Sequence, residues 1–552
     1  MAATLPAVST PHTASSAQAE VIAFLSDPSS FACGGPVDRH ETHANLVFLA
    51  GPDAWKIKRA VRFPYLDFST LERRRAACVR EFEINREFAP ELYVGCVPIS
   101  RSPTGRLEID GRGEVVEWCV HMRRFAQAAL LSNMAKTDGI TSDLARSIAD
   151  RVFESHARAI RIEPGLAPTL FGEVVTSLCR SLARSPALEV RTVQAFVSSA
   201  ANQLAGAQAI LKERARHGSV RRCHGDLHLA NIVLWQGRPV LYDAIEFDET
   251  IASTDTLYDL AFLLMDLDWH VQRRAANVVL NRYMWRSNQE LDLRGLRALP
   301  LFLGVRAGVR ALVGADRAAQ EQADRSRSDT ARARAYLEAA LGYLDPPAPQ
   351  LIAVGGLSGT GKTTLAAVLA PSVGPAPGAM HFRSDLERKS LLGVQEAVRL
   401  GSQSYSSQVS EQVYRTLRRK AQASLEAGHS VIVDAVHARH EERLDVERVA
   451  AELGLPFRGL WLKAEPCHLI ERVTARRDDA SDATASVVRQ QLAIDIGGLS
   501  PAWSVLDAHG SAAKILERAS IILAASSAKP LVQDAMRRTE ARLTRLANLL
   551  RP

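Results

Sequence analysis

Gly356, Gly361, Lys362 and Thr363 fit the pattern G-x-x-x-x-G-K-[ST] inside the run Leu351-Ile-Ala-Val-Gly-Gly-Leu-Ser-Gly-Thr-Gly-Lys-Thr-Thr364. That pattern can hold phosphate. Its glycines let the backbone curl until the N–H groups of Ser358, Gly359, Thr360, Gly361 and Thr364 face phosphate oxygens, and a helix starting near Lys362 adds its positive end. Lys362 can reach the β- and γ-phosphates, and the Thr363 hydroxyl can join a Mg²⁺ shell. The apolar run Leu351–Val354 before the loop and Leu365-Ala-Ala-Val-Leu-Ala370 after it supply the strand and helix that such a loop requires. This half of the chain is expected to bind ATP or GTP.

A second group of residues lies upstream, in His224-Gly-Asp226-Leu-His-Leu-Ala-Asn231 and Leu241-Tyr-Asp243-Ala-Ile-Glu-Phe247. An Asp followed five residues later by Asn, with another Asp at a strand end, has the spacing of a kinase catalytic loop and its metal-binding Asp. A hydroxyl attacking phosphorus needs an acceptor for its proton, and Asp226 can serve. The transferring phosphates need Mg²⁺, which the Asn231 amide oxygen and the Asp243 carboxylate can hold. Lys56 or Lys58 could reach the α- and β-phosphates, positioned by Glu81.

Three further features follow the phosphate loop: His381-Phe-Arg-Ser-Asp385-Leu-Glu-Arg388-Lys389, the apolar Ser430-Val-Ile-Val-Asp434 ending in a carboxylate, and Glu471-Arg472-Val-Thr-Ala-Arg476-Arg477. A strand-end carboxylate in a parallel sheet faces the ligand crevice.

These residues need elements to position them. Asn45–Ala50 and Ala54–Lys58 flank a Gly51-Pro52-Asp53 turn and predict a hairpin. Ser69-x-x-Glu72 is a capping-box pattern opening a helix to about Phe88. Beyond Trp118 the sequence turns mainly helical, interrupted by a strand near Arg238–Tyr242. A strand-rich start followed by helices predicts a two-lobed fold. Asp345-Pro-Pro-Ala-Pro-Gln350 forbids a continued helix and marks a linker. The expected organisation is therefore a disordered tail 1–18, a first domain 19–344, the linker 345–350, a second domain 351–525 and a C-terminal helix 526–552.

At 552 residues the chain exceeds one domain. Its 47% hydrophobic and 23% charged residues are ordinary for a soluble protein. No apolar run of about 18 residues stands out, so no membrane span is expected, and the N-terminus lacks the basic start of a signal peptide. The cysteines at 33, 78, 96, 119, 179, 223 and 467 are scattered, as free thiols in a reducing cytoplasm would be. The net charge is +7, but 58 arginines against 10 lysines are spread along the chain among acidic residues. That reads as a coding bias, which disfavours nucleic acid as a partner and leaves it open. Where such a chain keeps Lys, as at 56, 58 and 362, a compact ammonium has a use.

On these motifs, most of residues 40–270 resembles the aminoglycoside phosphotransferase and protein-kinase-like superfamily. The resemblance implies Asp226 as catalytic base, Asn231 and Asp243 as Mg²⁺ ligands, and Lys56 with Glu81 as the phosphate-binding pair. His156 is similar to a helical His of such proteins. One departure is plain. The turn that in protein kinases is glycine-rich reads Arg39-His-Glu-Thr-His-Ala44 here. Residues of about 350–500 resemble the gluconate kinase, polynucleotide kinase and zeta-toxin group of P-loop kinases. In that group an Asp activates the acceptor hydroxyl and an Arg grips the substrate, roles that fall on Asp385 and Arg388. Asp434 falls at the Mg²⁺ end of its strand, and Arg472, Arg476 or Arg477 on a lid over the transferred charge.

The fold class expected is α/β and α+β in two domains: a bilobal protein-kinase-like N-terminal domain and a P-loop α/β sandwich with a parallel sheet. The function expected is a cytoplasmic, bifunctional, ATP- and Mg²⁺-dependent phosphotransferase acting on hydroxyls of small molecules. A nucleotide-sensing regulatory protein and a polynucleotide-end kinase are the alternatives. The sequence specifies neither acceptor nor oligomeric state.

Overall fold

Side chains alternate across a strand, and in Asp53–Lys58 that alternation separates Ile57 from Lys56 and Lys58. This strand (β3) pairs antiparallel with Asn45–Ala50 (β2), which pairs antiparallel with Val37–Glu41 (β1). The computed structural model describes residues 16–42, 44–63, 66–163, 167–320, 323–475 and 481–525. They belong to two compact units: Met1–Glu173 with Ala215–Asp266, and Val174–Arg214 with Leu267–Pro552. The linker at 345–350 marks a change in sequence, whereas the compact units divide elsewhere.

In the first unit the antiparallel sheet runs β1, β2, β3, then Glu114–Arg123, Tyr93–Arg101 and Leu107–Ile109. One face buries Leu46, Phe48, Ile57, Ile99 and Cys119 against Val21 and Leu25 of the helix Ser16–Ser26 (α1). Residues 16–18 of the tail expected over 1–18 thus lie in this helix, and residues 1–15 lie outside the described residues. The helix begins at Ser16, and the Gln18 amide donates to Lys58 O and to Glu117 Oε2 at 2.9 and 3.0 Å. The opposite face packs Leu49, Ala54, Val120 and Met122 with Cys78 of the helix Leu71–Phe88 (α2). The cap of α2 is Thr70, whose hydroxyl accepts from Arg73 N, and not the expected Ser69, which bonds Asp67 instead. The rest of this unit holds the helix Ser142–Arg158, the hairpin Ile232–Trp235/Arg238–Leu241 and most of the helix Thr256–Trp269.

In the second unit, five parallel strands run in the order Met380–Arg383, Val431–Asp434, Leu351–Gly356, Phe457–Lys463 and Trp503–Asp507. The central strand Leu351–Gly356 is buried along its whole length, as a parallel strand covered on both faces must be. The helix Arg273–Ser287 lies in this unit and covers the edge strand. Asn281 Oδ1 accepts from His381 N at 2.7 Å, and the Asn277 amide donates to Ala379 O at 3.0 Å. Lys420 bonds Asn288 Oδ1 at 2.8 Å and Glu387 at 2.7 Å. These contacts explain why residues 267–344, read from sequence as the end of the first domain, are compact with the P-loop segment.

One stretch, Glu290–Ala319, is apolar enough to pass for a membrane span, which the sequence reading had not singled out. Its most apolar window is 67% buried within the fold, as for a core helix.

Candidate active sites

The first site is assembled from β3, α2, the loop 223–231 and the segment after Leu241. Lys56 and Lys58 leave β3 on the face opposite Ile57 and meet Glu81 of α2. Lys56 Nζ lies 2.8 Å from Glu81 Oε1 and 2.8 Å from Asp243 Oδ1. Lys58 Nζ lies 2.7 Å from Glu81 Oε2 and 2.6 Å from Glu246 Oε1. Glu81 is fully buried, and both lysines are nearly so. Burial acts to neutralise each of these groups, and the neighbouring charges win. The carboxylates of Asp243 and Glu81 hold the Lys56 ammonium well above the usual lysine range. For Glu81, burial is outweighed by Lys56 and Lys58, and its pKa falls to about 2. Burial dominates at Glu246 and raises its pKa despite Lys58.

The residues Asp226 to Asn231 make a tight loop in which the Asn231 amide nitrogen donates to Asp226 O and Oδ2 at 3.0 and 2.9 Å. With Nδ2 so engaged, Oδ1 is the Asn231 atom that could take a cation. His228 Nε2 stands 3.3 Å from the same Asp226 oxygen. Below the loop, Asp259 Oδ1 accepts from Gly225 N at 2.8 Å and Oδ2 meets His156 Nε2 at 3.1 Å. His156 is thus a buried support of the loop. The hairpin runs the two segments side by side: Ile232 pairs with Leu241, and Tyr242 N, one residue before Asp243, donates to Asn231 O at 3.0 Å.

The second site centres on the loop 356–361. Gly356, Gly359 and Gly361 have φ of 132°, 88° and 91°, a region that side chains strain to enter. A Cβ on Gly359 would stand 2.6 Å from Leu469 O. The helix Lys362–Leu369 starts at the loop, as expected. Lys362 Nζ bonds Leu357 O at 3.0 Å, and Thr363 Oγ1 donates to Asp434 Oδ2 at 2.6 Å. Asp434 ends its strand and is buried. Burial would raise its pKa, but His381, Lys362 and Arg383 lower it to about 2. The carboxylate and the threonine hydroxyl are hard oxygen donors, as are Asn231 Oδ1 and Asp243 in the first site, and both sets fit Mg²⁺.

Asp385 opens the helix Ser384–Leu391, and burial raises its pKa, the shift a general base requires. Arg388 is no surface partner of Asp385. It is buried, donates to Ser404 O at 2.8 Å and lies over the Tyr405 ring at 4.6 Å. Arg472, expected on a lid, instead donates to Gly359 O of the phosphate loop at 3.4 Å and to Ala508 O, just after the strand Trp503–Asp507, at 3.2 Å. Ser358 N donates to Gln491 Oε1 at 2.8 Å. Arg476 and Arg477 lie outside the described residues, as does the helix expected over 526–552.

Residues 351–494 match the family model described as an AAA domain. Over 463 residues the chain is 31% identical to the uncharacterized protein Rv2004c of Mycobacterium tuberculosis, and equally to Mb2027c of Mycobacterium bovis. Each match covers 82% of this chain and 88% of the relative. The chain belongs to this family. Among solved structures it is similar to a sugar kinase from Janibacter sp. HTCC2649 (23% identical, 32% of this chain and 94% of that one, TM-score 0.25). It is also similar to a choline/ethanolamine kinase family protein from Mesorhizobium loti (17% identical, 59% and 99%, TM-score 0.36). Residues 351–494 thus hold the phosphate loop on the central strand of a five-stranded parallel sheet.

Sequence reasoning missed the second half of the lysine cluster. Glu246 stood in the quoted segment after Asp243 without a role, and Asn85, four residues after Glu81, was not singled out. A Glu and an Asn one helical turn apart share a face, which was the available signal.

Proposed function

We propose that this protein is a bifunctional kinase that moves the γ-phosphoryl group of ATP to hydroxyls of small-molecule acceptors at two separate centres. The observation that carries the reading is the convergence of Lys56, Glu81 and Asp243 in the unit that also sets Asn231 against Asp226. In the first centre Lys56 holds phosphate oxygens, with Glu81 fixing its ammonium. Asp226 accepts the proton of the attacking hydroxyl, and Asn231 and Asp243 hold Mg²⁺. In the second centre the amides of residues 358–364 and Lys362 cradle the phosphates. Thr363 and Asp434 hold the cation and Asp385 takes the acceptor proton, while Arg388 braces Ser404 and Tyr405 beside them and does not meet the acceptor itself. Bound Mg²⁺ neutralises charge on the phosphates. The remaining catalysis is positioning by these side chains.

We assign the first activity to the unit Met1–Glu173 with Ala215–Asp266 and the second to the unit that holds residues 351–525, in place of the 19–344 division expected from sequence, and assign the protein to the cytoplasm. A regulatory reading of the first centre draws on one observation: the β1–β2 connection contains no glycine, so the phosphates lack a flexible cover there. The test is incubation of the protein with γ-labelled ATP, Mg²⁺ and a bacterial metabolite extract, beside Asp226→Ala and Lys362→Ala. Two labelled products, each lost in a different variant, support two kinase centres. Label lost only in Lys362→Ala, with Asp226→Ala unchanged, assigns the first centre to regulation.

A further inference from the structure

The residue after the candidate metal ligand is held in an unusual way. Asp243 has φ of +60°, a left-handed conformation that costs a side-chain-bearing residue energy and persists only where its surroundings enforce it. Ala244, fully buried, follows it within no strand or helix. Its N–H donates to Asn85 Oδ1 at 2.7 Å, and its C=O accepts from Asn85 Nδ2 at 3.2 Å. One side-chain amide thus satisfies both polar groups of one buried residue, as a neighbouring strand would. Asn85 is itself fully buried, and its Nδ2 also bonds Glu81 O at 3.1 Å in the turn before it.

Asn85 lies one helical turn after Glu81 on α2. The same helix therefore sets the phosphate lysine through Glu81 and the metal carboxylate through Asn85. The segment beyond is tethered as well. Lys58 holds Glu246, Ile245 N donates to His224 O at 3.0 Å, and Arg222 donates to Ile245 O at 2.6 Å. Glu249 bonds both Arg222 and Arg80 of α2.

We propose that Asn85 is a positioning residue for the metal site of the first centre: it clamps Ala244 so that Asp243 stays in its left-handed conformation with its carboxylate beside Asn231. The proposal rests on the reading of Asp243 as a Mg²⁺ ligand. Without the clamp, two buried backbone groups lose their partners, and the residue is free to turn to a lower-energy conformation that carries the carboxylate away. Metal affinity then falls, while the contact of Lys56 with the nucleotide persists. An Asn that only filled space would show no such selectivity.

The test uses the full chain in a Lys362→Ala background, which silences the P-loop centre, and trinitrophenyl-ATP as the probe. Binding is followed by fluorescence as Mg²⁺ is titrated, for Asn85→Ala, Asn85→Asp and Asp243→Asn. Asn85→Asp keeps the size and the acceptor for Ala244 N but loses the donor, so it carries the test if the alanine variant does not fold. The Mg²⁺ concentration for half-maximal enhancement is expected to rise about tenfold in the Asn85 variants, with metal-free probe affinity unchanged. It should rise at least as far in Asp243→Asn. Folded Asn85 variants that keep the parental Mg²⁺ curve while Asp243→Asn shifts it overturn the clamp. So does an equal loss of probe affinity with and without metal. A curve that Asp243→Asn leaves unmoved overturns the metal reading itself.

Discussion

Lys58 is the residue whose removal should separate structure from chemistry in the first site. Its ammonium is the partner of Glu246 and half the partner of Glu81, at 2.6 and 2.7 Å, in a place almost closed to water. The cluster as built has two ammonium groups and three carboxylates: Lys56 and Lys58 against Glu81, Asp243 and Glu246. Lys58→Met keeps most of the apolar stem and deletes the charge, which leaves three carboxylates facing Lys56 alone. Removing one member of a buried ion pair costs about 3–5 kcal/mol, because the abandoned charge stays desolvated. Replacing both members by neutral groups costs far less, so Lys58→Met/Glu246→Gln should recover at least about 2 kcal/mol of that loss. The assay is hydrogen exchange read by mass spectrometry on peptides spanning residues 45–58 and 71–88. A loss of about 3 kcal/mol in local stability appears there as a roughly hundredfold drop in protection. Protection in residues 351–434 should not change. If Lys58→Met protects these peptides as well as the wild type, the buried pair is not what holds β3 to α2. A double variant no better than the single one would refute the attribution to an abandoned Glu246.

Three other outcomes follow from the second unit. Asp385→Asn should lower turnover at the P-loop centre by about 10²–10⁴-fold with ATP affinity kept, measured by steady-state kinetics once an acceptor is in hand; equal losses in turnover and in ATP affinity would remove Asp385 from proton transfer. Gly359→Ala must hold a side chain at φ of 88° with its Cβ 2.6 Å from Leu469 O. It should cost at least about 2 kcal/mol and weaken nucleotide binding, read as a lower thermal midpoint and a smaller shift on adding ATP. His429 is buried with Nε2 2.8 Å from Gly378 O, and burial lowers its pKa from the usual 6.5 to about 4. Above pH 6.5 it is neutral in both folded and unfolded chains. As pH falls from 6.5 toward 4 the unfolded chain gains the proton first, so stability drops by about 3 kcal/mol across that window. His429→Gln should flatten this part of the urea-denaturation profile, and an unchanged slope would show that burial does not hold His429 neutral.

How much of each site was legible in the sequence depended on chain separation. The phosphate loop runs from Gly356 to Thr364, and its geometry follows from glycines at fixed offsets between a strand and a helix. Asp226 and Asn231 lie within one loop, and the strand-end position of Asp434 follows from the apolar run before it. Arg388 was harder. The resemblance put it on the substrate, but the helix Ser384–Leu391 turns it inward onto Tyr405, and only packing reveals that. Arg472 sat on the expected helix, yet its bonds to Gly359 O and Ala508 O join residues from three elements.

By itself the sequence determined the chemistry available: a phosphate loop, a catalytic-loop spacing, two strand-end carboxylates and the strands and helices that carry them. Backbone preferences and side-chain periodicity act over a few residues, so these features survive in a linear reading. Tertiary structure alone decided which lysine meets which carboxylate. Lys56 reaches Asp243 across 187 positions, Lys58 reaches Glu246 across 188, and Asn85 clamps Ala244 across 159. Lys56 and Lys58 leave one strand on one face, and either could have been the phosphate lysine. Which carboxylates each one meets was decided by where α2 and the segment after Leu241 come to rest, because a buried charge is tolerable only beside its opposite.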